Sequence, residues 1–265
     1  MVYFPTRLFR HFQLQIQIRM GRIGESLEGL VAFLLWAPRL FRGLIGNQNL
    51  KAPTLIPIDE NLPPAGSSLF PVSFINLSDR KDRLKLVTHE FARVEISKAK
   101  RIPAIKDQNG ALGCAKSHVK ALDALSQANF QLAMVCEDDV EFLTDRQVLN
   151  ELISEFQRIP GLGVLCLANR VRGPRLPISK MLSVSNNIQM AACYVIKPFA
   201  LKPLRQSFSN SVLALGEGAD LAEASIDQLW KKVQTNEVFF SVPRAKVARQ
   251  RKSYSDIAGR IKQYH

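Results

Sequence analysis

An apolar run that ends in three consecutive acids constrains the fold of this chain more than any other stretch. Residues Leu132 to Cys136 are apolar, and Glu137, Asp138 and Asp139 follow directly. A short, unbroken apolar run is typical of a strand that is buried on both faces of a sheet. Because three adjacent carboxylates repel one another, the end of this strand is expected to meet a positive charge.

A divalent cation is the simplest source of that charge. Mn²⁺ and Mg²⁺ prefer carboxylate oxygens and also hold phosphates. The carboxyl ends of strands are where open α/β sheets bind ligands, and the acid triplet falls at such an end. Asp139 and Asp138 are therefore the candidate metal ligands. A solvated turn after the strand is the alternative interpretation.

The composition is that of a globular protein whose basic charge lies at its two ends. Of 265 residues, 46% are hydrophobic and 22% are charged. The net charge of +13 divides into +5 for residues 1–51, +6 for 244–265 and +2 for the rest. Basic ends suit an anionic membrane surface, a nucleic acid or a phosphorylated ligand. Nucleic acid is disfavoured because the basic segments lack interleaved aromatic residues.

Cysteine usage points to a reducing compartment. The four cysteines are widely spaced and include no Cys-x-x-Cys pair, so their pattern predicts neither a zinc site nor a redox motif. Cys136, Cys166 and Cys193 lie in apolar runs and are predicted to be buried.

Four segments are predicted along the chain. Residues 1–50 form a basic segment whose apolar stretch is too short to span a bilayer but could lie in a membrane interface, or could pack on the main domain as an extra helix. Residues 51–71 are a proline-rich linker. The domain proper covers 72–257, and a basic tail covers 258–265.

Strands and helices alternate within the domain, which predicts an α/β fold with a mostly parallel sheet. The predicted strands are 72–77, 94–106, 132–136, 163–168, 189–196 and 238–242. The predicted helices are 84–91, 119–126, a helix over about 145–156 capped by Thr144 or Asp145, 198–207 and 219–233. Residues 170–186 are predicted to be a mobile basic loop.

Two loops before helices are candidate ligand-binding segments. Residues 78–83 follow the first strand and are basic, as in a phosphate cradle at a helix N-terminus. Gly110 and Gly113 precede Ser117 and His118, which are expected in the first turns of the next helix. His118 is a candidate general base or phosphate contact, and a structural histidine is the alternative.

These motifs together resemble glycosyltransferase family 25, which includes bacterial lipooligosaccharide galactosyltransferases and collagen galactosyltransferases. Each motif alone is weak, but their shared order is specific. The matching stretches are residues 75–83, 110–118, 137–139, 191–194, Asp227 and 255–257.

The resemblance implies a GT-A-like, Rossmann-type fold and metal-dependent transfer of a hexose, most often galactose, from a UDP-sugar to a glycan or glycolipid hydroxyl. Mn²⁺ or Mg²⁺ would be held by Asp139 and Asp138, and the catalytic residues would be Asp227 and His118. A cytoplasmic enzyme of lipopolysaccharide biosynthesis, peripheral on the inner face of the membrane, is expected. The nucleotide-sugar contacts carried over are Asn76, Leu77, Arg80, Arg83, Gly113, Ser117, Glu137 and Asp138.

One departure from the family keeps a second function open. The segment between Arg83 and Gly110 is shorter than in the family, and Ala111 and Leu112 replace an acid-containing pair. The alternative is a degenerate relative that binds a nucleotide or polyanion without turnover.

Overall fold

The computed structural model describes residues 70–159, 161–236, 238–251, 253–255 and 260–262. The predicted segments 1–50 and 51–71 lie almost wholly outside these residues, as does most of the predicted tail. The described strands, in chain order, are β1 (Val72–Asn76), β2 (Ala99–Pro103), β3 (Ala133–Glu137), β4 (Val140–Phe142), β5 (Leu162–Val171), β6 (Leu176–Pro177), β7 (Leu182–Val184), β8 (Ile188–Ile196), β9 (Phe239–Pro243), β10 (Ala248–Gln250), β11 (Ser253–Ser255) and β12 (Arg260–Lys262).

The described helices lie between these strands and account for the alternation in the sequence. They are α1 (Lys81–Arg93), α2 (Gly110–Ser126), α3 (Arg146–Arg158), α4 (Pro198–Gly216), α5 (Leu221–Ala224) and α6 (Ile226–Asn236). Asp145 caps α3, since its side chain accepts a hydrogen bond from the backbone N–H of Val148 at 2.9 Å.

One mixed sheet carries the site, with strand order β2-β1-β3-β8-β5-β9-β7-β6. Strands β2, β1 and β3 are mutually parallel, and β5 is parallel to β9. Strand β8 runs antiparallel between β3 and β5. Two short antiparallel pairs, β4 with β10 and β11 with β12, form separate two-stranded sheets. The predicted α/β class, a sheet flanked by helices, is confirmed.

Helices cover both faces of the sheet because its central strands are apolar on both sides. Apolar side chains of α2, α4 and α6 share one core with alternate residues of the strands, including Ala133 and Val135 of β3. On the other face, Phe74 of β1 packs on Phe91 of α1, with ring centroids 5.4 Å apart. Trp230 is fully buried in α6, and its indole N–H donates to the Ile188 carbonyl at 2.8 Å.

Several predicted boundaries differ from the structure. The strand expected over 94–106 is shorter (β2), and the helices expected over 84–91 and 119–126 begin earlier, at Lys81 and Gly110. The loop expected over 170–186 contains the end of β5 and the antiparallel pair β6–β7. The helix expected to end near Ser207 continues to Gly216, because its buried positions Phe208, Ser211 and Leu215 extend the apolar face. The helix expected from about 219 is broken at Ser225 into α5 and α6.

Candidate active site at the carboxyl ends of β1 and β3

The acid triplet and the first basic loop meet because β1 and β3 are adjacent and parallel. Their carboxyl ends, Asn76 and Glu137, therefore lie at one edge of the sheet. The buried Asn76 side chain donates to Asp138 Oδ2 at 2.7 Å and to the Arg80 carbonyl oxygen at 3.2 Å. One amide thus ties the turn before α1 to the triplet.

Arg83 supplies the positive charge that the triplet requires. From α1, its guanidinium donates to Asp138 Oδ1 at 2.9 Å and lies 3.4 Å from Asp139 Oδ2. Burial opposes its ionisation, but the charges of Asp139 and Asp138 raise the pKa of the guanidinium above its usual value. Arg83 is 9% exposed, so this ion pair is largely withdrawn from water.

Asp139 retains an oxygen suited to a cation. Its Oδ2 accepts from Gln250 Nε2 at 3.0 Å, and its backbone carbonyl accepts from the Arg251 N–H at 2.7 Å. Its Oδ1 is buried and has no hydrogen-bond partner among the described residues. Burial, followed by the charge of Glu137, raises the pKa of Asp139 to about 7. A buried carboxylate oxygen without a donor fits a divalent cation as its missing partner.

Glu137 is contacted by α2, whereas Asp138 and Asp139 are contacted by Arg83 of α1. Glu137 Oε1 lies 3.2 Å from His118 Nε2 and 3.7 Å from Cys114 Sγ. Burial alone would raise the pKa of Glu137, but the hydrogen bond and charge of His118 lower it. His118 Nδ1 lies 3.2 Å from Tyr194 Oη, and both rings are fully buried.

Cys114, His118 and Glu137 form a possible metal-binding group. Their ligand atoms all lie within 4.8 Å of one another. Burial, with the charges of Glu137 and Asp227, raises the pKa of the Cys114 thiol well above its usual value. The wide spacing of the cysteines gave no indication of a zinc site. The contact between Cys114 and Glu137 arises only in the fold, where α2 lies beside the end of β3. The other three cysteines are buried and free, as predicted.

Asp227 lies on the same side of the site, in the first turn of α6. Its Oδ2 accepts from the Met190 N–H at 3.2 Å, and its Oδ1 accepts from Ser225 Oγ at 3.0 Å. Met190 has a φ of 71°, which is the left-handed region that L side chains rarely adopt. The irregular β5–β8 register around this residue turns its N–H toward Asp227.

The remaining predicted site residues build the two loops. Arg80 makes a two-point ion pair with Asp82, at 3.0 Å for both contacts, which lowers the pKa of Asp82 to about 2. The Leu77 carbonyl accepts from the Arg80 N–H at 3.1 Å. Ser117 Oγ donates to the Gly113 carbonyl at 2.6 Å and accepts from the Ile105 N–H at 2.8 Å.

Gly113 permits the close approach of α2 to the preceding loop. A Cβ at Gly113 would lie 2.6 Å from the Ile105 carbonyl oxygen, so no larger residue fits without movement of the backbone. Gly113 and Ser117 together hold residues 105–107 against α2, and they therefore shape the loop that precedes this helix.

Sequence reasoning missed two site residues, Gln250 and Tyr194. Gln250 comes from β10, which pairs with β4 and reaches the triplet from far along the chain. No local pattern marks it, since residues 244–265 were interpreted only through their basic charge. Tyr194 was noted as part of a family motif, but only the packed β8 shows that its hydroxyl contacts His118.

The fold is of the α/β class, with a cluster of buried acids at the carboxyl end of a central strand. Comparison with protein families is more specific. Residues 106–217 match the model of glycosyltransferase family 25 (LPS biosynthesis protein). The match confirms the resemblance to family 25 that the motifs indicated, and the class of protein that it supports is a glycosyltransferase. No curated protein matches the chain.

Solved structures add only distant likenesses. A mannose-1-phosphate geranyltransferase from Thermus thermophilus is 9% identical over 66% of this chain and 73% of its own, with a TM-score of 0.38. A glycosyltransferase involved in the glycosylation of the major capsid of PBCV-1 is 10% identical over 64% of this chain and 91% of its own, with a TM-score of 0.33. None of the helices in the described part of the chain has the length and apolar character needed to cross a bilayer.

Proposed function

We propose that the protein is a hexosyltransferase that transfers a hexose from a UDP-sugar to a hydroxyl of a glycan or glycolipid, with galactose as the proposed sugar. The observation that carries this proposal is the partnerless, buried Oδ1 of Asp139, which has no hydrogen-bond donor among the described residues and lies at the carboxyl end of a central strand. A buried acceptor beside two further acids is poorly explained by packing alone. The family 25 match covers the same strand and the helix before it.

Asp139 is the proposed principal ligand of a divalent Mn²⁺ or Mg²⁺, with Asp138 beside it. Both oxygens of Asp138 already accept hydrogen bonds, from Asn76 and Arg83, so Asp138 has less capacity left for a cation than Asp139. When bound, the cation would neutralise the charge on the diphosphate as UDP leaves. Arg83 and Gln250 orient the two carboxylates toward that position.

The turn between β1 and α1 is the proposed nucleotide contact. Asn76 holds the Arg80 carbonyl, and Leu77 and Arg80 close the turn through a backbone hydrogen bond. Backbone N–H groups at the start of a helix favour phosphate oxygens. Arg80 adds a guanidinium at this end of the helix, 18% exposed in its side chain and braced by Asp82.

Asp227 is the proposed base that takes the proton from the acceptor hydroxyl. Its carboxylate is oriented by two donors, Met190 N–H and Ser225 Oγ, which leaves further lone pairs on both oxygens. His118 is fully buried and contacts Glu137, so its proposed role is to position Glu137 rather than to touch the sugar. Gly113 and Ser117 support the loop that precedes α2.

A glycolipid acceptor on the cytoplasmic face of a membrane suits the basic ends of the chain. Nucleotide sugars are made in the cytoplasm, and residues 1–50 combine arginines with a short apolar stretch. Flotation with anionic liposomes tests this part of the proposal. The full chain should float, and a chain beginning near residue 68 should remain with the soluble fraction; equal behaviour of the two would remove the membrane role.

A binding protein without turnover is the second candidate. The specific observation in its favour is that Arg83 already pairs with Asp138 and Asp139, so part of the charge that a cation would neutralise is neutralised by the chain itself. Such a site could hold UDP through the β1–α1 turn while lacking the metal needed for transfer.

A panel of sugar nucleotides with Mn²⁺ separates these candidates. Turnover of one UDP-hexose, together with loss of Mn²⁺-dependent UDP binding in Asp139→Asn by calorimetry, is the expected result. The control Asp145→Asn should behave as the parent protein, because asparagine caps α3 as well as aspartate does. UDP binding without donor hydrolysis or transfer would favour the binding protein. UDP binding that is unchanged by Mn²⁺ and by Asp139→Asn would refute the metal site.

A further inference from the structure

A second metal-binding arrangement lies beside the acid triplet, on the side away from Arg83. Helix α2 places Cys114 and His118 four residues apart, so their side chains project from one face. The end of β3 brings Glu137 against both. The His118 Nε2 to Glu137 Oε1 distance is 3.2 Å, and the Cys114 Sγ to Glu137 Oε1 distance is 3.7 Å.

We propose that Cys114, His118 and Glu137 bind a thiophilic transition-metal ion of the Zn²⁺ class. A tetrahedral zinc ion with bonds of about 2.0–2.3 Å separates its ligand atoms by roughly 3.3–3.6 Å. The two measured distances are close to this range, and all three ligand atoms lie within 4.8 Å of one another. A small movement of the Cys114 side chain would complete the arrangement.

The chemistry of these donors selects a different ion from the one proposed at Asp139. Thiolate and imidazole favour Zn²⁺ over Mg²⁺ or Mn²⁺, which prefer oxygen ligands. Three protein ligands would leave a fourth position for water or a ligand group, as in zinc sites that keep an open position. Glu137 retains 22% exposure of its side chain, which gives an ion a route to the site.

The surroundings of His118 resemble the support that a metal-binding histidine receives. Its Nδ1 lies 3.2 Å from Tyr194 Oη, and the Phe208 ring lies edge-on at 5.6 Å between centroids. A partner on the second ring nitrogen fixes both the orientation of the ring and its tautomer. With metal on Nε2, the Nδ1–H would donate to the Tyr194 oxygen, a role that a hydroxyl accepts by rotation.

Binding would exchange protons for metal without any oxidation. The Cys114 thiol, which now donates to Glu137, would lose its proton to solvent and bind as thiolate. His118 would bind through Nε2 and keep a proton on Nδ1, and any proton that the metal displaces from Nε2 would also pass to solvent; Glu137 would remain a carboxylate. Because Glu137 also belongs to the acid triplet, an ion here would place a second positive charge next to Asp139. This inference does not depend on the donor sugar or on turnover.

Cobalt substitution tests the site in the full-length protein. Co²⁺ added to the metal-free, reduced protein should give a near-ultraviolet thiolate-to-cobalt absorption and d–d bands of tetrahedral intensity, and one equivalent of Zn²⁺ should remove both. Cys114→Ser should abolish the thiolate band. Tyr194→Phe should weaken Co²⁺ affinity by about 10–100-fold, since it removes only the oxygen that supports His118.

Two variants separate this site from its neighbours. Cys166→Ala, which removes another buried thiol, should keep the cobalt bands, and so should Asp139→Asn, which removes the proposed Mn²⁺ ligand. Absence of a thiolate band in folded protein at millimolar Co²⁺ would overturn the proposal and leave a hydrogen-bonded polar cluster only. A band that persists in Cys114→Ser would equally overturn it. Loss of the bands in Asp139→Asn alone would place the ion at the acid triplet instead.

Discussion

Replacing Asp139 by asparagine should make the metal-free protein more stable above neutral pH. Burial and the charge of Glu137 raise the pKa of Asp139 from 3.8 to about 7. Because the folded-state value lies above the unfolded one, the folded protein binds this proton more tightly. The stability associated with the protonated group is fully present below about pH 4 and is lost as the pH rises to about 7.

The expected gain in stability follows from the size of the rise in the pKa of Asp139. About three pKa units at 1.36 kcal/mol each make the ionised carboxylate cost roughly 4 kcal/mol in the folded state. This cost is already net of the attraction to Arg83, which keeps its hydrogen bond to Asp138 in the variant. Asparagine removes the cost but leaves a buried amide whose N–H groups need acceptors, which offsets part of the gain. We expect a net gain of about 1–3 kcal/mol in the free energy of unfolding at about pH 8. At about pH 4 the two proteins should differ little.

Urea unfolding in EDTA at several pH values measures both the gain in the free energy of unfolding and its dependence on pH. The difference between Asp139→Asn and the parent protein should grow from about pH 4 to about pH 7 and then level off. Asp145→Asn is the matched control, and its effect should be small at every pH. A loss of stability in Asp139→Asn at about pH 8 would refute the account, because it would show that the ionised carboxylate stabilises the fold.

Three further substitutions test local geometry. Gly113→Ala should destabilise the protein by about 1–3 kcal/mol in urea unfolding, since its Cβ would lie 2.6 Å from the Ile105 carbonyl oxygen; an unchanged midpoint would contradict this contact. Gly216→Ala, with nothing within 4 Å of the new Cβ, should be neutral or stabilise by up to about 1 kcal/mol, and a clear loss would contradict the open site. Met190→Gly should relieve about 1 kcal/mol of strain at φ 71° and so cost less stability than Met190→Val in thermal unfolding; the reverse order would remove the strain argument.

The elements that the sequence predicted well are those with unbroken apolar runs. Strands β1, β3 and β8 were placed from such runs, and each is buried along nearly its whole length. The carboxyl ends of β1 and β3 also placed Asn76 and the acid triplet at one edge of the sheet, since neighbouring parallel strands end together. Buried strands are predictable because burial on both faces leaves little choice of residue.

The parts that could not be predicted depend on contacts between distant segments. Gln250 reaches Asp139 only because β10 pairs with β4, and the local sequence of such a short strand does not predict that pairing. His118 was expected near the start of its helix, in reach of the loop, but α2 begins at Gly110 and carries His118 two turns inward, where it is fully buried. Helix boundaries depend on capping, here by Asn109, whose side chain accepts from two backbone N–H groups.

The charge balance of the triplet indicates where a cation is still needed. Arg83 hydrogen-bonds Asp138 and lies farther from Asp139, while Glu137 is paired with His118. Asp138 and Glu137 thus each have a close partner of opposite or complementary charge. Asp139 shares Arg83 with Asp138 and accepts one further hydrogen bond, from the Gln250 amide. Burial raises the pKa of both Asp138 and Asp139, and at Asp139 the charge of Glu137 adds to it, so the pKa of Asp139 reaches about 7. A divalent cation and a proton therefore compete for the same carboxylate, and Mn²⁺-dependent UDP binding should weaken as the pH falls below about 7. Binding that is equally tight at about pH 5.5 and about pH 8 would show that the cation is held elsewhere.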